Sequence, residues 1–307
     1  MNAVYYQQFG SLDVLDFGDL DVPQLGPDSV LVQVAAASVN PVDWKVMSGG
    51  LSTRITSVFP VVPGWDLAGV VREVGPSVTQ VEVGDAVWGY ARMDYVHHGT
   101  FAEFTAVPER VLAPRPPSLT ASEAAAMPLA ALTAYQALVH RIQLNAEDKL
   151  LVIGGAGGVG GFAIQIARAL GATVYATGSL QNHSYLESLG AHPVKHGVEQ
   201  LKALNAEGLT AVLDLYGGEP LQEGIRLLKG AKRVVTIADP TIIAQGGHYV
   251  FVQPSRTDLD ALSALVQHDQ LHAHIQEHFP LEQVKAAFAV SMEGHVRGKL
   301  VIDIAEI

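Results

Sequence analysis

A strand, a glycine-packed turn and a helix set the tightest limits on this chain. Leu150–Ile153 reads "LLVI", and Gly155, Gly157 and Gly160 follow it in a G-x-G-x-x-G spacing. Beyond the turn, Val159, Ala163, Ile166 and Leu170 recur at intervals of four, three and four, which predicts a helix with one buried stripe. A second β-type run begins at Thr173. Glycines in such a turn let the backbone bend tightly and approach a pyrophosphate, whose charge then faces the unpaired N–H groups at the helix start. In this context the pattern predicts a dinucleotide held by Gly155, Ala156, Gly157, Gly158, Val159 and Gly160. No Gly-Lys-Ser/Thr follows, so the turn is not a P-loop.

The end of the second strand bears on which dinucleotide. An acid about 20 residues beyond the loop's start would accept from a ribose 2′-hydroxyl and repel a 2′-phosphate. Thr177, Gly178 and Ser179 stand there instead, and Ser179, Asn182 and His183 carry donors suited to phosphate. NADPH is therefore expected over NADH. Arg168, on the preceding helix, is the nearest cation along the sequence, although a cation is the better phosphate partner.

The rest of the chain divides around this element. Up to Pro114 it consists of short β-type runs, "SVLVQVAAASV", "AGVVREVG", "DAVWGY" and "FAEFTAVP", broken by Gly, Pro and Asp, which predicts an antiparallel, barrel-like module. "PRPPSL" then places a boundary near residue 120. Between Leu150 and Phe251 strands and helices alternate, the signature of a parallel sheet covered on both faces. Two amphipathic segments and the closing strand "GKLVIDI" follow, and that strand is expected to return to the first domain. The predicted domains are 1–120 with 259–307, and 121–258.

Composition narrows the function classes. The 307 residues are 49% hydrophobic and 16% charged, enough for two buried cores. With 19 basic against 31 acidic residues the formal charge is -12, which disfavours nucleic acid and anionic membranes as partners. There is no cysteine, so disulfides, thiolate nucleophiles and cysteine-ligated zinc are excluded. The start of the chain reads as a first strand and turn, and the apolar window Ala121–Val139 is interrupted by Glu123, Pro128 and Gln136, so it reads as globular helix. The cytoplasm is the default compartment. His97 and His98 read as part of a solvated polar loop whose neighbouring side chains diverge, and no metal site is expected.

The stretches "SVNPVDWKVMSG" (38–49), "PGWDLAGVVREVG" (63–75), "VGDAVWGY" (83–90), "GTFAEFTAVP" (99–108), "AAAMPLAALTAYQAL" (124–138), "AVLDLYGG" (211–218) and "GHVRGKLVI" (294–302), with the glycine loop, span nearly the whole chain. In them the chain resembles the zinc-free quinone oxidoreductase branch of the medium-chain dehydrogenase/reductase superfamily. The resemblance implies an α/β fold: a GroES-like, mostly antiparallel β catalytic domain joined to a Rossmann domain with a doubly wound parallel sheet. Zinc-dependent relatives carry a cysteine in the loop that here reads "NPVDWK", and Gly-His-Glu where this chain has Gly64, Trp65 and Asp66.

The same resemblance assigns roles. Asn40 is expected beside the nicotinamide, and Lys45, often Tyr in relatives, at the nicotinamide ribose or substrate. These two are the catalytic candidates, with Lys45 read equally as an oxyanion donor or a solvated loop lysine. Asp43 and Asp66 are expected to orient the loop. Thr133 is implied near the nicotinamide and its phosphate, Leu215, Tyr216, Gly217 and Ala238 along the cofactor's edge, and Phe251 and Val252 at the carboxamide. Relatives often carry Ser-x-Arg-Asn or a lysine where this chain has Ser179, Leu180, Gln181 and Asn182. His196 reads as an adenosine-side contact or as a surface histidine, and Arg297 and Lys299 as reaching the cofactor's far edge across the cleft or as ordinary strand-end charges.

Zinc acts in alcohol dehydrogenases as a Lewis acid on an alkoxide. Quinones and α,β-unsaturated carbonyls spread the developing charge, so ordinary hydrogen-bond donors suffice. The sequence therefore predicts NADPH-dependent, zinc-independent hydride transfer to a quinone or enone, and the resemblance implies a homodimer joined through edge strands of the nucleotide domain. An enoyl-thioester reductase, which needs a basic patch for the carrier phosphate, and a non-catalytic NADPH-binding sensor are the alternatives.

Overall fold

The computed structural model describes residues 1–228 and 233–307. Its contacts divide the chain into two units, Met1–Leu129 with Gln253–Gln267 and Ala273–Ile307, and Ala130–Val252 with His268–His272.

The first unit is organised by the strand Ser29–Val39, whose β-branched and small residues are buried on both faces. Asp66–Val74 pairs antiparallel along its length. On its other edge Phe104–Pro108 pairs with its first half and Lys299–Asp303 with its second, both antiparallel. Ala86–Tyr90 and Leu112–Pro114 extend the sheet beyond Asp66–Val74, and Ile275–Pro280 lies parallel to Lys299–Asp303. The strands at the centre approach closely: a Cβ on Gly69 would lie 2.1 Å from the Gln33 carbonyl oxygen, so only glycine fits opposite Val34. The closing strand does return to the first domain.

The helix Ala121–Ala125 opens on a capping box in which Thr120 and Glu123 satisfy each other's backbone N–H. It packs on Ser29–Val39 and Asp66–Val74, so the first unit runs on to Leu129. The helix Arg256–Gln267 likewise packs on Leu112–Pro114. The proline-rich stretch thus marks the end of a strand path, and the change of core comes later, where Leu129 gives way to Ala130.

The second unit is a six-stranded, wholly parallel sheet. Its order is His192–Lys195, Thr173–Gly178, Lys149–Ile153, Ala211–Asp214, Val234–Thr236, His248–Tyr249, the doubly wound arrangement with its reversal between the third and fourth strands named. Ligands in such sheets bind at the strand C-termini beside that reversal. The glycine turn follows Lys149–Ile153, at that place.

One local expectation fails. The helix Gly158–Ala169 is buried continuously from Gly160 to Ala167, whereas Val159 is half-buried and Leu170 is 37% exposed. It is covered by the sheet on one side and by the π-helical stretch Gln136–Ile142 on another, so a single stripe does not describe it. Among the described residues no helix is long and apolar enough to cross a membrane.

Candidate active site

In the first unit, pairing of the central strand gathers a buried polar cluster. Register sets Ser38 opposite Asp66 and Leu300 opposite Val39, which brings Lys299 to Asn40, the residue that caps the helix Pro41–Met47. The Asp66 carboxylate, fully buried, accepts from four donors. Ser38 Oγ and Asn40 Nδ2 each lie 2.8 Å from Oδ2, Lys299 Nζ is 3.4 Å from the same oxygen, and the Leu129 N–H donates to Oδ1 at 2.7 Å. Lys299 Nζ also donates to Asn40 Oδ1 at 2.6 Å. Lys299, expected at the cofactor's far edge, is only 4% exposed and has its ammonium in this cluster. Burial holds that ammonium below the usual lysine range, against the pull of Asp66 and Asp43.

Asp43 fastens the loop from below. Its Oδ2 accepts the Asn40 backbone N–H at 2.8 Å, while its buried Oδ1 has no hydrogen-bond partner among the described residues. Burial pushes this carboxyl up to about 8; the Asn40 N–H pulls it down, Asp66 pushes it up and Lys299 pulls it down. Lys45 is exposed on the same helix, its Nζ 5.4 Å from the Trp44 ring centroid, outside the cluster. Trp65 is buried edge-on against Tyr90. His97 and His98 depart from the expected loop. They lie on the strand Tyr95–His98 with ring centroids 3.8 Å apart, and His97 Nδ1 sits 2.7 Å and 2.8 Å from the Val58 and Pro60 carbonyls.

In the second unit the three signature glycines are not there for one reason. A Cβ on Gly160 would lie 2.3 Å from the Gly154 oxygen, and one on Gly155 2.8 Å from the Ala176 Cβ, so packing forbids side chains at both. Gly157 has φ -75° and ψ 176°, open to any residue, and a Cβ there would meet nothing nearer than the Gly154 oxygen at 3.9 Å. Neither conformation nor packing requires a glycine at 157. A glycine there leaves the loop backbone accessible to a ligand, and among the described residues no side chain caps the helix that starts at Gly158. The residues present therefore fit a bound pyrophosphate.

The strand ends around the loop are tied from within. Thr177 accepts the Gly154 N–H on Oγ1 and the Gly155 N–H on its carbonyl, both at 2.9 Å, so it supports the loop from behind. Asp214, buried at the end of its strand, accepts from Gly217 N–H, Tyr216 N–H and Thr236 Oγ1, and Thr236 Oγ1 in turn accepts from the Ala238 N–H. This pair fixes Leu215, Tyr216, Gly217 and Ala238, and sequence reading passed over it. Tyr216 is 76% exposed and Phe251 is exposed, while Thr133 and Val252 are buried.

Beyond Gly178, Ser179 and Asn182 are half-buried on a short turn. The exposed His196 donates its backbone N–H to the Gly178 oxygen at 3.0 Å. Parallel pairing sets the exposed Lys195 directly opposite Gly178, a cation that linear distance concealed. Arg168 lies elsewhere, against Gly190.

A family model described as "Alcohol dehydrogenase GroES-like domain" matches residues 26–117, and one described as "Zinc-binding dehydrogenase" matches 189–302. A chloroplast envelope quinone oxidoreductase homolog of Arabidopsis thaliana is 31% identical across 99% of this chain and 98% of its own. The chain belongs to the quinone oxidoreductase branch of the medium-chain dehydrogenase/reductase superfamily. It is a nicotinamide-dependent oxidoreductase. An NADPH-dependent alkenal/one oxidoreductase of the same plant is 33% identical over 98% of this chain and 79% of its own, and the structure of the quinone oxidoreductase from Coxiella burnetii superposes with a TM-score of 0.88 at 31% identity over 99% of both chains.

Within this superfamily the catalytic zinc of other branches does not suit the residues here. Indole offers no metal ligand at Trp65, Asp66 is committed to four donors, and cysteine is absent from the chain.

Two outcomes follow. An Asp43 carboxyl that keeps its proton to about pH 8 when folded, and loses it near pH 4 when unfolded, withdraws stability as pH rises through that window. Asp43→Asn, which still accepts the Asn40 N–H, is expected to gain melting temperature over the wild type progressively from pH 5 to about 8, as read by thermal denaturation across pH. Gly157→Ala is expected to retain the wild-type melting temperature but weaken binding of the reduced nicotinamide cofactor in a fluorescence titration with NADH and NADPH, whereas Gly160→Ala loses stability itself.

Proposed function

We propose that this oxidoreductase reduces quinones or α,β-unsaturated carbonyls with NADPH, without a metal. The observation that carries the reading is the Asn40 amide. Where zinc-dependent relatives have a cysteine loop and Gly-His-Glu, this chain offers a neutral N–H donor braced by a fully engaged carboxylate. Reduction of a quinone or enone leaves negative charge spread over a conjugated oxygen, which such a donor supports; an isolated alkoxide demands a stronger electrophile. The names of the relatives, quinone oxidoreductase and alkenal/one oxidoreductase, support the same substrate class.

A bound reduced nicotinamide supplies a hydride. The chain's own residues bind and orient. The glycine loop receives the pyrophosphate, and Ser179, Asn182, His196 and Lys195 receive the 2′-phosphate side, where Gly178 leaves no acid to repel it. Asn40 donates to the developing oxyanion, and Lys45 stands on the exposed face of the same helix for the ribose or substrate.

Purified protein with NADPH is expected to reduce 1,4-benzoquinone, 9,10-phenanthrenequinone or a short enone, followed at the cofactor's absorbance. Asn40→Ala is expected to lower kcat about 10²-fold in protein that thermal denaturation shows to be folded, at a lower melting temperature because Asp66 and Lys299 each lose a buried partner. Absence of turnover across that panel at micromolar enzyme sinks the proposal. Lys195→Ala is expected to raise KM for NADPH about tenfold while leaving KM for NADH unchanged; equal effects on both refute a 2′-phosphate role.

A further inference from the structure

We propose that Lys299 is a positioning residue that, with Asp66 as the opposite pole, locks the Asn40 side-chain amide in one of its two orientations. The inference rests on the reading of Asn40 as the oxyanion donor. A primary amide is nearly isosteric about its Cβ–Cγ bond, and in most settings either end can face a given neighbour. At Asn40 the two neighbours carry opposite charge. Oδ1 lies 2.6 Å from the Lys299 ammonium, and Nδ2 lies 2.8 Å from Asp66 Oδ2. A flip would turn the oxygen to the carboxylate and the N–H groups to the ammonium, two repulsions in a site where Asn40, Asp66 and Lys299 are all buried and water screens little.

The backbone is held as firmly as the side chain. The Asn40 N–H donates to Asp43 Oδ2 at 2.8 Å, and the Asn40 carbonyl accepts from the Asp43 N–H at 3.0 Å. Of the two hydrogens on Nδ2, one goes to Asp66 and the other is left to donate elsewhere. The ammonium at Oδ1 also polarises the amide, which makes that remaining N–H the stronger donor. A hydroxyl would satisfy Oδ1 equally well without enforcing the orientation. A lysine this deeply buried is rare unless its charge is needed, and here that charge faces an amide oxygen as well as its counter-ion.

The test uses the full chain as Asn40→Ala, Lys299→Met, the two combined, and Lys299→Met/Asp66→Asn, which removes both charges together and stands in if the single lysine variant does not fold. Three readouts are taken: kcat with NADPH and a quinone, NADPH Kd by fluorescence, and side-chain amide spectra after selective ¹⁵N-asparagine labelling, with five asparagines in the chain. Lys299→Met is expected to lower kcat about 10- to 100-fold at unchanged NADPH Kd. In the Asn40→Ala background the same substitution is expected to cost nothing further, and the Asn40 amide signals of Lys299→Met should show a second conformer or faster hydrogen exchange. Losses that multiply in the combined variant, or an Asn40 amide undisturbed by loss of the lysine, overturn the proposal. If Asn40→Ala alone leaves kcat intact, the reading of Asn40 as donor fails instead, and the amide spectra decide the lock by themselves.

Discussion

A carboxylate with no access to solvent must be matched by donors or it destabilises the fold by several kcal/mol. Asp66 meets that demand with four, drawn from the end of the central strand at Ser38, the helix cap at Asn40, the backbone of Leu129 and the closing strand at Lys299. Its partners lie as many as 233 residues away from it along the chain. Satisfying Asp66 also fixes the Asn40 amide, the group proposed above as the oxyanion donor. The same commitment removes Asp66 from the metal chemistry of the zinc-dependent branches.

The nucleotide-binding unit follows a second constraint, that a loop must approach a charged ligand with its backbone. Gly155 and Gly160 are glycines because neighbouring atoms leave no space, and Gly157 is a glycine although the protein leaves space. That contrast separates the two glycines that packing requires from the one that it leaves open. Thr177 behind the loop, and Asp214 with Thr236 beside it, hold the surrounding strand ends with short hydrogen bonds that make no demand on a ligand. Buried polar groups here brace the backbone, while Tyr216, Phe251, Lys195 and His196 are exposed.

Much of this was legible in the amino-acid order. The glycine spacing after "LLVI", the alternation of strands and helices and the missing acid at Gly178 are local signals, because a turn's conformation and a strand's period of two depend on neighbours along the chain. "NPVDWK" and "PGWD" carried the family. Where local pattern misled, tertiary contact was the reason. The helix Gly158–Ala169 is covered on more than one side, His97 and His98 stack on a strand, and the first unit extends past the proline-rich stretch to Leu129.

The sequence by itself determined the class of cofactor, the doubly wound sheet and the absence of cysteine ligands, since these depend on residue type and short spacing. Only the tertiary structure decided that Lys299 meets Asn40 and Asp66, that Lys195 stands level with Gly178, and that Thr177 supports the loop from behind. Those meetings come from strand register between distant segments, and register is settled by which faces are buried and which charges must find partners. No interval along the chain encodes them.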